Sequence, residues 1–109
     1  MIVSRGHCVL YFFLKQLVTE LNEKAKKCFD KKEYLRALEH YDRALKICST
    51  YSFIEEAAVI HGNCARLYLA MESFQNAYVH ANSCVELNPG SVKVYKHQCN
   101  YRVYISWSN

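Results

Sequence analysis

Residues 59–89, VIHGNCARLYLAMESFQNAYVHANSCVELNP, decide the fold. Ala65, Tyr68 and Leu69 recur at three- and four-residue intervals, and so do Phe74, Ala77, Ala81, Cys84 and Leu87. Such intervals put side chains on one side of an α-helix, whereas a half-buried strand would alternate. The spacing predicts two amphipathic helices. Met71-Glu72-Ser73 leaves only a short connection between them, with the Ser73 hydroxyl placed to cap the second helix, and Asn88-Pro89-Gly90 stops it. Helices joined this tightly form an antiparallel hairpin.

An earlier stretch repeats the pattern. Laying residues 34–45, YLRALEHYDRAL, over residues 74–85, FQNAYVHANSCV, pairs Tyr34 with Phe74, Ala37 with Ala77 and Ala44 with Cys84 at an offset of 40 residues. One helix pair per period of this length marks a helical-repeat array. In Leu21, Ala25, Tyr34, Ala37, Tyr41 and Ala44, then Ala65, Tyr68, Phe74, Ala77, Ala81, Cys84 and Pro89, the pattern resembles the tetratricopeptide repeat family. That family's usual period is about 34 residues. The excess of about six is expected around residues 49–54, absorbed by a long first helix of repeat two that begins near Phe53.

The expected architecture is all-α: an antiparallel helix-hairpin array of the α-solenoid kind, with about two repeats plus one further helix. Residues 1–14 read as an apolar leader, either an extra packing segment or a loosely ordered start. Residues 15–97 read as the repeat domain, with repeat one at 15–48, repeat two at 53–89 and the first helix of repeat three from 91–97 onward. Residues 98–109, QCNYRVYISWSN, lose the small-residue spacing and read as a divergent tail. Within repeat one, Leu17, Leu21, Ala25, Cys28 and Phe29 share a helix face, and the second helix, expected over residues 33–47, is expected to bury Leu38, Tyr41, Ala44 and Leu45. Its outer face offers Glu39 and Arg43 as an i,i+4 ion pair.

Three glycines and one proline in 109 residues are too few for the many turns of an all-β chain. The leader's apolar run, Val9 to Leu14, is too short for a secretory signal core or a membrane span. Six cysteines include no Cys-x-x-Cys pair, and several stand at packing positions, where the thiol acts as a small apolar group. A reducing, cytoplasmic compartment follows as the expectation. The net charge of +4 suits an acidic partner without requiring nucleic acid.

The resemblance implies that the first helices of successive repeats line a concave groove that grips an extended peptide. Its sharpest version is a two-carboxylate clamp, in which lysine, asparagine and arginine hold the acidic Glu-Glu-Val-Asp tail of cytosolic heat-shock chaperones. The corresponding positions here are Asn22 and Lys26, Asn63 and Arg66, then Lys93, Lys96 and His97. Asn63 and Lys93 match that clamp. Asn22 and Lys26 carry its first-helix lysine and asparagine in exchanged order, and His97 stands where it has arginine, without the bidentate fork and mostly neutral at pH 7. Independently of the family, Lys26, Arg66, Lys93 and Lys96 on first helices would attract carboxylates, and the Asn63 amide would donate to them.

The expected function is a protein-interaction adaptor, in its specific form a co-chaperone. The alternatives are a structural scaffold or shortened form without binding activity of its own, and nucleic-acid binding through the same cations, with Tyr95, Tyr101 and Trp107 as stacking surfaces. Neither a membrane partner nor a small-molecule substrate is expected. The sequence holds no glycine-rich phosphate loop and no nucleophile elbow. His61-x-x-Cys64 and His80-x-x-x-Cys84 have spacings that would suit zinc or a thiol–imidazole pair, but Cys64 and Cys84 occupy packing positions. A non-enzymatic module with no metal and no cofactor is the expectation.

Overall fold

The computed structural model describes the backbone of residues 5–87 and the side chains of residues 9–87. Four helices follow one another: α1 (Arg5–Asp30), α2 (Tyr34–Tyr51), α3 (Ile54–Ala70) and α4 (Phe74–Leu87). There is no strand among the described residues, and no described helix is long and apolar enough to cross a membrane. The chain divides into two compact units, Met1–Glu56 and Ala57–Asn109. The first contains the α1–α2 hairpin and the opening turn of α3; the second contains the rest of α3 and α4.

Each hairpin is closed by the same three-residue turn. After α1, Lys32 N–H donates to the Phe29 carbonyl at 2.9 Å and Glu33 N–H to the Cys28 carbonyl at 2.8 Å. After α3, Glu72 N–H donates to Leu69 at 3.0 Å and Ser73 N–H to Tyr68 at 2.8 Å, the same pair of bonds 40 residues on. This crossed pair is a Schellman closure, which satisfies the carbonyls that a helix C-terminus leaves unbonded. It requires a left-handed residue at its centre, usually glycine. Here Lys32 (φ 62°) and Glu72 (φ 59°) fill that place. Ser52 (φ 58°) does so after α2, where Phe53 N–H reaches back to Cys48 at 3.0 Å.

The last residue of each hairpin turn accepts the first bond of the next helix. The carbonyls of Glu33 and Ser73 accept Ala37 N–H at 3.1 Å and Ala77 N–H at 3.0 Å. Their side chains are engaged three residues on: Arg36 Nη1 donates to Glu33 Oε2, and Asn76 Nδ2 donates to Ser73 Oγ, both at 2.8 Å. The Glu33–Arg36 pair, rather than the expected Glu39–Arg43, is the ion pair on this helix among the described residues.

The interior of the first hairpin is built from small residues with aromatic wedges. Ala25, Ala37 and Ala44 have no exposed surface, and Val18, Tyr41 and Cys48 are almost fully buried. Residues 5–14 are not separate from the repeat: they are the opening turns of α1. Tyr11 meets Phe53 edge-on at 4.9 Å, and Lys15 Nζ lies 5.4 Å and 5.7 Å from the two ring centroids while pairing with Glu56 at 3.5 Å. Val9, Phe12 and Phe13 stay more than half exposed. The region expected to connect the repeats is mostly helix, because α2 continues to Tyr51 and only Ser52 and Phe53 separate it from α3. In the second hairpin, Ala65, Ala77 and Ala81 form the buried centre, with Tyr68 and Leu69 against it.

A side chain in the left-handed region costs about 1 kcal/mol, which glycine avoids. Lys32→Gly and Glu72→Gly are therefore expected to stabilise the protein by about 0.5–1 kcal/mol each, whereas the β-branched Glu72→Val is expected to lower its stability. Urea unfolding of the three variants measures both signs.

Candidate functional site

On α1, Asn22 and Lys26 stand one helical turn apart, Asn22 half-buried and Lys26 exposed. Lys26 Nζ lies 3.6 Å from Glu23 Oε1, an i,i+3 pair open to solvent on both sides. Such pairs are worth little, so Glu23 does not hold Lys26 strongly away from another carboxylate. On α3, Asn63 is half-buried and Arg66 exposed, again one turn apart. Lys26 and Arg66 lie 40 residues apart, at the same register of their hairpins. The remaining candidates, Lys93, Lys96 and His97, lie outside the described residues.

The cysteines behave as packing groups. Cys48, Cys64 and Cys84 are buried. Burial, aided by Glu56, pushes the Cys48 thiol up to about 11, and burial likewise raises Cys84. Both are protonated at neutral pH, the opposite of an activated nucleophile. Cys84 Sγ donates to the Ala58 carbonyl at 3.0 Å. No group of three or more histidine, cysteine or acidic side chains is arranged around a common metal position among the described residues.

His61 and His80 meet each other. Their Nδ1 atoms are 2.9 Å apart across the α3–α4 hairpin, with ring centroids at 5.1 Å. One ring must therefore carry its proton on Nδ1 and the other accept it. The Tyr68 ring stacks on His80 at 5.4 Å and 18°. Sequence reasoning missed this contact, although the 40-residue offset contains its signal. His40 in the first hairpin corresponds to His80, and the counterpart of His61 there is Leu21, which has no polar atom. Accordingly, the buried Nδ1 of His40 has no hydrogen-bond partner among the described residues.

No family model matches the chain, and neither does any curated protein.

An unpaired buried nitrogen costs about 1–3 kcal/mol. His40→Leu is expected to raise the unfolding free energy by roughly 1 kcal/mol, measured by thermal or urea unfolding; a loss of stability would show that the ring does more than fill space.

Burial and the neighbouring His80 push His61 down to about 4 from its ordinary 6.5. Between those values the unfolded chain binds more protons than the folded one. The contribution is thus fully present above pH 6.5 and drains as pH falls towards 4. It amounts to on the order of 2 kcal/mol for a ring that solvent partly reaches. Thermal unfolding between pH 7 and pH 4 should destabilise the wild-type protein more steeply than His61→Gln, and parallel curves would contradict the shift.

Proposed function

We propose that this chain is a tetratricopeptide-like module that acts as a protein-interaction adaptor, taking an acidic peptide by charge and hydrogen bonding. One observation carries the proposal: the hairpin recurs after 40 residues with the same turn bonds, and an exposed cation, Lys26 and then Arg66, recurs with it. Repeats that present one chemistry at a fixed register suit an extended ligand whose acidic groups also come at intervals. Asn22 and Asn63 add amide donors on the same two helices, and the reading takes Lys93 and His97 from the sequence as further members of the set. The most specific form of this reading is a co-chaperone that recognises the carboxylate-terminated acidic tail of a heat-shock chaperone. The compartment it implies is the cytoplasm, where the cysteines stay reduced.

A labelled peptide ending in Glu-Glu-Val-Asp, titrated beside its C-terminally amidated twin, tests the proposal by fluorescence anisotropy. Losing a charge-assisted hydrogen bond costs about 1.5–3 kcal/mol. Amidation is thus expected to weaken binding roughly tenfold or more, as are Lys26→Ala and Arg66→Ala, and added salt should weaken it further. Equal affinity for the two peptides rules out carboxylate capture.

A further inference from the structure

We propose that the facing Nδ1 atoms of His61 and His80 form a two-histidine seat for a borderline divalent transition-metal ion of the zinc class. The two nitrogens already point at one another from successive helices of one hairpin, 2.9 Å apart. A tetrahedral zinc ion with bonds of about 2.05 Å needs its nitrogen ligands roughly 3.3 Å apart, so the rings must part by about 0.4 Å and each tilt by roughly 35° to aim its lone pair at the ion. The present bond contains a single proton. When an ion enters, the donor imidazole moves that proton from Nδ1 to its own Nε2, so both rings remain neutral and both Nδ1 lone pairs face the metal. Imidazole nitrogen suits zinc, copper, nickel and cobalt, and not the hard magnesium or calcium ions.

The surroundings favour imidazole over thiolate as ligand. Cys84, one turn beyond His80, is buried, and its S–H is given to the Ala58 carbonyl. Tyr68, stacked on His80, holds the plane of that ring. Both histidines are partly exposed, so water completes the coordination sphere. A site with two protein ligands and the rest water is exchangeable, unlike the closed four-ligand sites that hold structural zinc. It would fasten α3 to α4 in response to ion concentration. The first hairpin lacks an equivalent, since Leu21 stands where His61 would be. The site is independent of the peptide-binding reading and stands or falls separately.

Zn²⁺ added to the reduced protein at about tenfold above its dissociation constant is expected to raise Tm by roughly 5 °C or more. Co²⁺ is expected to give a visible d–d absorption without a thiolate charge-transfer band. His61→Gln and His80→Gln should each abolish both effects with helical content unchanged by circular dichroism. No response up to millimolar ion, a thiolate band, or a response that survives in the double variant overturns the site. If a variant fails to fold, the wild-type protein still decides. Paramagnetic Co²⁺ must broaden the ring protons of His61 and His80 ahead of those of His40, and equal broadening of all three overturns the proposal.

Discussion

Helix meets helix at alanine in both hairpins, and the other features follow from that close approach. Ala25, Ala37 and Ala44 in the first hairpin, and Ala65, Ala77 and Ala81 in the second, are at most 1% exposed. Side-chain size at the contact sets how near two helix axes come. A methyl group on each side brings the backbones close, and only a small thiol fits at neighbouring places such as Cys64 and Cys84. Val18, Tyr41, Ile60 and Leu67 are the larger side chains buried with them. Phe29 packs against Tyr34 at 5.7 Å beside the first turn, and Phe53 lies between Tyr11 and Tyr51 at the far end. The same proximity brings His61 and His80 within hydrogen-bonding distance.

The periodicity of Ala37, Tyr41 and Ala44, and of Ala77, Ala81 and Cys84, reports burial directly because each position packs against a neighbouring helix. The turn at Met71-Glu72-Ser73 was equally legible, because it falls where the apolar spacing breaks. The end of α2 was not. Ser49, Thr50 and Tyr51 are weak helix formers and suggest a connection, but Cys48 and Phe53 are buried on either side and hold the chain helical. Thr50 Oγ1 meanwhile donates to the Lys46 carbonyl at 2.9 Å, a bond available only within the helix. Packing overrides propensity there. At the start of α1, the apolar run looked like a separate leader, and local hydrophobicity cannot reveal that Tyr11 reaches Phe53.

The identities of Asn22, Lys26, Asn63 and Arg66 could be read from sequence, and helical spacing placed each pair on a single helix. The histidine contact could not be found helix by helix, because each ring has a cysteine at a plausible spacing on its own helix. It appears only when residue 61 is compared with residue 21, and residue 80 with residue 40. The two hairpins share a frame but differ in filling, with Tyr41 and Leu21 in one where Ala81 and His61 stand in the other. A repeated scaffold thus acquires separate chemistry in each copy.

The shortness of the turns also bears on how the chain reaches its native state. The bonds that fasten α4 to α3 join residues only 19 and 26 positions apart. Closing such short loops sacrifices little chain entropy, and proteins dominated by local contacts fold in microseconds to milliseconds. A hairpin of this kind needs no distant segment to begin forming. During synthesis, α1 and α2 can associate while the sequence of α4 is still inside the ribosome.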